Sequence, residues 1–291
     1  MKNAIEIRKL KKKYDDNFEL GEINLDIPSG YVIGLIGENG AGKTTLIKSI
    51  LSIINIDSGD IKIFNKNNKD EYLVKEDIGV VLDGMFFPEI MTINDINIVM
   101  KSIYKNWDSE LFNKYLRKFK LSKSKKIKEL SKGMRKKLEI VTALSHHPKL
   151  LILDEPTSGL DPVVRNDILE IFLDFIRDEE HTILFSTHIT SDLEHIADKI
   201  VFIDNGKVIL NENKDELLDN YGALKCSIDS FSKIDKDDII RYKKNKYWAN
   251  TIWCQLINAV FIFLEINVWK KWYGIRFKLS QFHNEIWTAA G

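Results

Sequence analysis

Cysteine is nearly missing from this chain: Cys226 and Cys254 are the only two in 291 residues. They form no C-x-x-C pair and read as reduced, partly buried thiols of a cytosolic protein. Net charge is missing too. Lysine and arginine total 43, as do aspartate and glutamate, which removes any global electrostatic case for nucleic-acid binding. The first residues, Met1-Lys2-Asn3-Ala4-Ile5-Glu6-Ile7-Arg8, alternate charge and apolarity. They hold no apolar signal core, so no export signal is expected. Through about residue 245 no apolar run is long enough to span a bilayer. Glutamine does not occur before Gln255. The length allows one or two domains with a large core.

What is present is a series of strand signals alternating with helical ones. Ala4 to Leu10 and Phe18 to Ile27 alternate like strands, the second ending at the turn Pro28-Ser29-Gly30. Tyr31 to Ile36 is an apolar run that reads as a buried strand. Ser58-Gly59 reads as a turn, Ile61 to Phe64 as a short strand, and Asn65 to Asp70 as a surface loop. Ile78 to Leu82 is a further buried strand, ending at Asp83-Gly84. From about residue 85 to 148 apolar residues recur at helical spacing, which predicts a helical lobe inserted into an α/β core. Buried-strand patterns return at Leu150 to Leu153, Thr182 to Thr187 and Ile200 to Ile203, and Asn205-Gly206 predicts a hairpin. Asp161-Pro162 is a helix start. The fold class is therefore α/β, with a mixed, mainly parallel sheet, antiparallel opening strands and a helical lobe.

One stretch organises the rest. Gly37-Glu38-Asn39-Gly40-Ala41-Gly42-Lys43-Thr44 fits the P-loop pattern G-x-x-x-x-G-K-[ST]. It lies between a buried strand and the helical pattern that begins at Thr45. Glycines let consecutive N–H groups point inward onto phosphate oxygens, and the helix N-terminus adds partial positive charge. Lys43 is placed to reach the β- and γ-phosphates and Thr44 to offer its hydroxyl to Mg²⁺. A second constellation follows. Leu150 to Leu153 ends in the paired acids Asp154-Glu155; Leu130-Ser131-Lys132-Gly133-Met134 opens a helix before it. Ser158-Gly159-Leu160-Asp161 comes after it, and Ser186-Thr187-His188 closes the next strand.

In this order the motifs resemble the nucleotide-binding subunit of ABC transporters, of the bacterial export type, over about residues 1–220. The resemblance implies ATP and Mg²⁺ as cofactors and a pair of cassettes, like or unlike, with two ATP molecules between them. Gly37, Asn39, Gly40, Ala41, Gly42, Lys43, Thr44 and Thr45 would hold phosphates. Ser131 and Gly133 would contact the γ-phosphate held by the other subunit. Asp154 would attend Mg²⁺, Glu155 would be the general base, and His188 would hold the γ-phosphate and the water. Asp161 would link the two sites, and Tyr14 would stack on adenine. A separate membrane permease would be the partner, docked near Asp83 and Met85 to Ile90, with the chain peripheral on the cytoplasmic face of the membrane. No nucleic-acid partner is expected.

Two positions depart from the family. Asp83 stands where a glutamine is usual; it can still accept Mg²⁺-bound water but loses a donor. Lys132 and Met134 replace the third and fifth signature residues. His146-His147 reads as loop rather than metal pair. Lys132, Arg135, Lys136 and Lys137 read as a solvated helix face or as a border to the opposite ATP. Residues 221–291 form an appendage. After about residue 245 it turns tryptophan-rich, with no aspartate beyond Asp238. That tail reads as a packed helix or strand pair, as a polar-interrupted membrane segment, or as translation out of frame. A soluble ABC ATPase acting on ribosomes or nucleic acid, and an ATP-gated module without turnover, are the alternative functions.

Overall fold

The computed structural model of the chain describes residues 2–14, 18–69, 75–83, 87–226, 239–243 and 250–255. It divides into two compact units, Met1–Asn211 and Glu212–Gly291.

In the first unit the alternating segments form strands β1 (Asn3–Tyr14) and β2 (Phe18–Pro28), paired antiparallel. Alternation puts Ile5 and Ile7 on one buried face with Ile23, Leu25 and Ile27, and a register shift after Ile7, with Lys9 at φ +50, returns Leu10 to that face. The buried run becomes β3 (Val32–Ile36). β4 (Ser58–Ile63) lies on the other side of β1, with the short β5 (Lys66–Asn67) beside it. Ser58-Gly59 is thus not a turn. Pairing of Ser58 with Lys11 and of Asp60 with Arg8 draws these residues into the ladder, and tertiary pairing overrides local turn chemistry. The expected loop from Asn65 also carries structure as far as it is described, to Lys69. Buried Asn68 donates to Ser49 O at 2.9 Å and Ile50 O at 3.0 Å, satisfying carbonyls that a helix C-terminus leaves open.

The opening strands thus make a sheet of their own. The central sheet has six strands in the order β10 (Lys207–Asn213), β9 (Lys199–Asp204), β3, β8 (Thr182–Thr187), β7 (Leu150–Asp154), β6 (Ile78–Val81). β3 runs parallel to β8 and β9, and β7 parallel to β8 and β6. Strands β3, β7 and β8 are buried along their whole length, as continuous apolar runs in a sheet covered on both faces should be. Their register pairs Ile36 with Thr187 and Asp154 with Ser186. The residues that follow all three strands therefore emerge at one edge, where open parallel sheets bind ligands. The helix Lys43–Ile50 packs Leu46, Ile47 and Ile50 into the core shared by the two sheets.

Between β6 and β7 lie helices Ile93–Ile103, Ser109–Lys118 and Lys132–Leu144, with a short 3₁₀ turn at Ile127–Glu129. Each has a chemical start: Thr92 with Asp95 forms a capping box, and Asp108 and Ser131 accept first-turn N–H groups. His146 is buried, stacked on Tyr104 with centroids 4.0 Å apart, and its Nε2 lies 3.1 Å from Ile78 O. His147 turns instead to Asp108, 3.1 Å away. Adjacent side chains serve different partners, and no group of three candidate metal ligands occurs among the described residues.

The second unit holds the helix Lys214–Asn220 and a three-stranded antiparallel sheet, β11 (Tyr221–Cys226), β13 (Asn250–Gln255), β12 (Ile239–Lys243). The tail from residue 256 onward, and Met85-Phe86 of the expected permease-docking segment, lie outside the described residues. Among the described residues no helix is long and apolar enough to cross a membrane.

The hairpin at Asn205-Gly206 touches the phosphate loop. Gly206 N donates to Ala41 O at 2.9 Å, and Gly206 O accepts from Gly21 N at 2.8 Å. Gly206 has φ +72, and a Cβ there would fall 1.9 Å from Glu19 O. Gly206→Ala is expected to destabilise the fold by about 2–4 kcal/mol, from left-handed strain and forced repacking. Chemical denaturation checks this; a loss within about 0.5 kcal/mol, the usual surface-substitution range, would show that the hairpin does not support the loop.

Candidate functional site

The P-loop leaves β3 at Gly37, which is buried, and exposes Glu38, Asn39 and Gly40 at its tip. Gly42 is the N-cap of the helix at φ +112 and has no side chain to cap it. The first-turn N–H groups of Lys43, Thr44 and Thr45 therefore have no partner of their own chain's helix and face the loop. This is the arrangement that binds anions. The Lys43 side chain is 6 % exposed, and its Nζ donates to Gly37 O at 2.6 Å and Glu38 O at 3.0 Å. The ammonium is held beneath the loop, 3.8 Å from Glu155 Oε1. Burial lowers the Lys43 pKa, while Glu155 and Asp154 hold it up.

Asp154, the last residue of β7, is 2 % exposed. Its carboxylate accepts from Thr44 Oγ1 at 2.8 Å and from Ser186 Oγ at 2.5 Å. A hydroxyl beside a carboxylate is an oxygen-only donor set, of the kind that a small hard divalent cation takes. Glu155 follows with φ +49, a left-handed backbone that costs a non-glycine residue about 1–3 kcal/mol and is kept only where its surroundings enforce it. Here Ser186 enforces it: Glu155 N donates to Ser186 O at 3.2 Å, and lies 3.1 Å from Ser186 Oγ. The turn aims the Glu155 carboxylate back at the P-loop. Its Oε2 meets His188 Nδ1 at 2.8 Å. Its Oε1 is buried without a hydrogen-bond partner. Burial raises the Glu155 pKa, against the pull of His188 and Lys43, and Asp154 adds to the rise. A partly buried, proton-hungry carboxylate with one oxygen lacking a hydrogen-bond partner, next to a lysine under an anion-binding loop, is suited to accept a proton from water.

Thr44 is thus on Asp154, Lys43 beside Glu155, and Glu155 on His188. The remaining candidates sit elsewhere. Ser131 caps its helix, accepting from Met134 N at 3.3 Å, and Gly133 faces Leu160 and Val164. Asp161 caps the helix Pro162–Phe175, accepting from Val164 N at 3.0 Å. Tyr14 is 40 % exposed, with Phe18 at 6.5 Å and the Lys12 ammonium 5.4 Å over its ring. Phe18 in turn abuts Gly42. Asp83 is exposed. Its charge is felt by Glu139, whose pKa is raised first by burial and further by Asp83. Lys132 of the basic cluster is exposed, but the other three are not a solvated face. Lys136 is buried against Glu139 at 2.9 Å, Lys137 pairs with Asp167 at 2.8 Å, and Arg135 Nε donates to Leu130 O at 3.1 Å.

Sequence reasoning overlooked Ser186. The signal was available: in a parallel pair whose strands both end in chemistry, the residue opposite the buried acid is its natural donor. Ser186→Ala leaves a buried carboxylate one donor short and takes from the Glu155 N–H one of its two acceptors. It is expected to lose about 1–3 kcal/mol of stability, more than Thr44→Ala, because Thr44 is exposed and water can replace it. Parallel denaturation of the two variants checks the order; equal losses would contradict it.

The ABC transporter family model matches residues 20–158. The chain is 32% identical over 226 residues to the ABC transporter ATP-binding protein YtrB of Bacillus subtilis, covering 78% of this chain and 77% of that one. It is 35% identical over 224 residues to the lantibiotic transport ATP-binding protein SrtF of Streptococcus pyogenes, covering 74% of this chain and 96% of that protein. A solved ATP-binding subunit of an ABC transporter superposes with a TM-score of 0.66 at 27% identity, covering 74% of this chain and 91% of the other.

Proposed function

The chain belongs to the ATP-binding proteins of ABC transporters, and from that premise we propose that it is the ATP-hydrolysing motor of an exporter whose permease is a separate chain. The observation that carries this is the contact set at the strand ends: Lys43 under the P-loop, Thr44 on Asp154, and Glu155 on His188. ATP would lie with its phosphates on the loop amides, and Lys43 would turn from the Gly37 and Glu38 carbonyls to the phosphate oxygens. Thr44 and Asp154 would hold Mg²⁺, which neutralises charge on the phosphates. Glu155 takes the proton of the attacking water as its oxygen bonds to the γ-phosphorus and the bond to the ADP oxygen breaks. His188 orients Glu155 and supports the γ-phosphate.

We read the motor as residues 1–220 and residues 221–291 as an appendage. Ser131 and Asp161 cap helix starts and Gly133 stands in the first turn after Ser131, which fits roles toward the nucleotide of a second cassette paired head to tail. Tyr14, beside Phe18 at the loop, is the candidate adenine platform, and Asp83 the candidate relay toward the permease. Peripheral attachment to the inner membrane face follows from that partner. Transport outward draws support from the SrtF relative, whose name assigns it to lantibiotic transport.

Phosphate release from ATP tests the reading. Glu155→Gln should slow turnover by roughly 10²–10⁴-fold with ATP affinity retained, and Lys43→Ala should weaken binding itself. Wild-type turnover no higher than that of Lys43→Ala, alone and with its permease, would refute it. The pH profile adds a second check. Glu155 must be ionised to act, and its folded pKa is raised. Turnover should therefore fall, as pH drops, at a midpoint above the ordinary value of about 4.3. An acid limb at or below that value would remove Glu155 as the base.

A further inference from the structure

We infer that Asp192 is a positioning residue, which holds the Glu155–His188 pair in register through Thr157 and Arg165; this rests on the ATPase reading above. Asp192 lies four residues beyond His188, in the helix Thr190–Ile196, and is 1 % exposed. Its two carboxylate oxygens go to two different segments. Oδ2 accepts from Thr157 Oγ1 at 2.6 Å. Oδ1 accepts from Arg165 Nε, whose guanidinium also reaches Ser191 Oγ. Thr157 is fully buried and stands two residues after Glu155. Arg165 is in the first turn of the helix that Asp161 caps, and its N donates to Asp161 O at 3.0 Å.

One buried carboxylate thus pins the segment that carries the base, the segment that carries the histidine, and the helix that starts at Asp161. Its own helix is seated on the central sheet, with Leu193 filling the space over Gly34 of β3. At the other end, Ile189 N donates to Thr187 Oγ1 at 2.9 Å and Asp192 N to Ile189 O at 3.1 Å, which leaves His188 little freedom. Glu155 sits in a left-handed turn with only Pro156 between it and Thr157. A shift of Thr157 therefore moves the Glu155 carboxylate relative to His188. The same linkage lets a displacement of the Asp161 helix reach the base, so that a partner touching Asp161 can set the geometry of hydrolysis without touching Glu155.

The chemistry asks for a carboxylate here. Thr157 and Arg165 both donate, so the residue between them must accept twice, and asparagine offers one acceptor oxygen. Burial makes an unpaired hydroxyl costly, which keeps the Thr157 bond closed in the folded protein.

The test uses Thr157→Val, which keeps the volume and removes the hydroxyl, Thr157→Ser, which restores it, and Asp192→Asn. Misplacement of a reacting group can cost up to about 10²-fold in rate. Thr157→Val and Asp192→Asn are expected to lower kcat by about 10-fold or more while KM for ATP stays within about two-fold, and Thr157→Ser to recover most of the rate. In parallel, the imidazole NMR resonances of His188, assigned through a His188→Ala control, should move in Thr157→Val and return in Thr157→Ser. Normal kcat and unmoved resonances in Thr157→Val would overturn the inference and leave the ATPase reading standing. Loss of kcat with an equal loss of ATP affinity, unrescued by serine, would also overturn it, since that is the mark of a purely structural defect. Wild-type protein without turnover would refute the ATPase reading instead, and the His188 resonances would still decide whether Thr157 sets the pair.

Discussion

Asp154 is almost fully buried, yet it carries a carboxylate, and such a group is tolerated only when donors surround it. The two it has come from different elements: Thr44 from the start of the P-loop helix and Ser186 from the end of β8. Meeting that demand ties three strand ends together. It brings the phosphate loop to the acid, and it brings Ser186 to the backbone N–H of Glu155. The parallel register of β3, β8 and β7 makes this possible, because it ends the three strands at one level. Loss of that register would scatter the site even if every element formed.

Around this fixed point the chemistry is set by opposed tendencies. Burial pushes Glu155 toward holding a proton and Lys43 toward losing one, while each stabilises the other's charged form across 3.8 Å. Phosphate oxygens arriving on the loop would draw Lys43 away, removing a neighbour that favours the ionised carboxylate. The left-handed turn at Glu155 and the Thr157–Asp192–Arg165 bonds behind it keep that carboxylate aimed at His188 rather than at solvent.

Much of this was legible in the chain before any coordinates. The P-loop, the paired acids and the terminal histidine are local in sequence, and their spacing carries their chemistry. The buried strands read correctly because a strand covered on both faces must be apolar throughout. What could not be read depends on pairing between distant segments. Ser58-Gly59 looks like a turn until Lys11 pairs with it. Asn68 looks like loop until its amide meets the end of a helix that precedes it by many residues. Lys136 and Lys137 look solvated until Glu139 and Asp167 take them up. Ser186 and Asp192 are ordinary residues by composition, and only the sheet register and the packing of the helix after β8 give them work. The positions of Ser131, Gly133 and Asp161 are clear, but their proposed roles toward a second nucleotide belong to a pair of chains.

The most direct measurement is what this protein holds on to when hydrolysis is blocked. Tagged Glu155→Gln protein would be expressed in its native host, membranes solubilised with ATP present, and co-purifying proteins identified. A hydrophobic, multi-span partner in stoichiometric amount is the expected result. Recovery in the soluble fraction with ribosomes or nucleic acid would contradict the motor assignment.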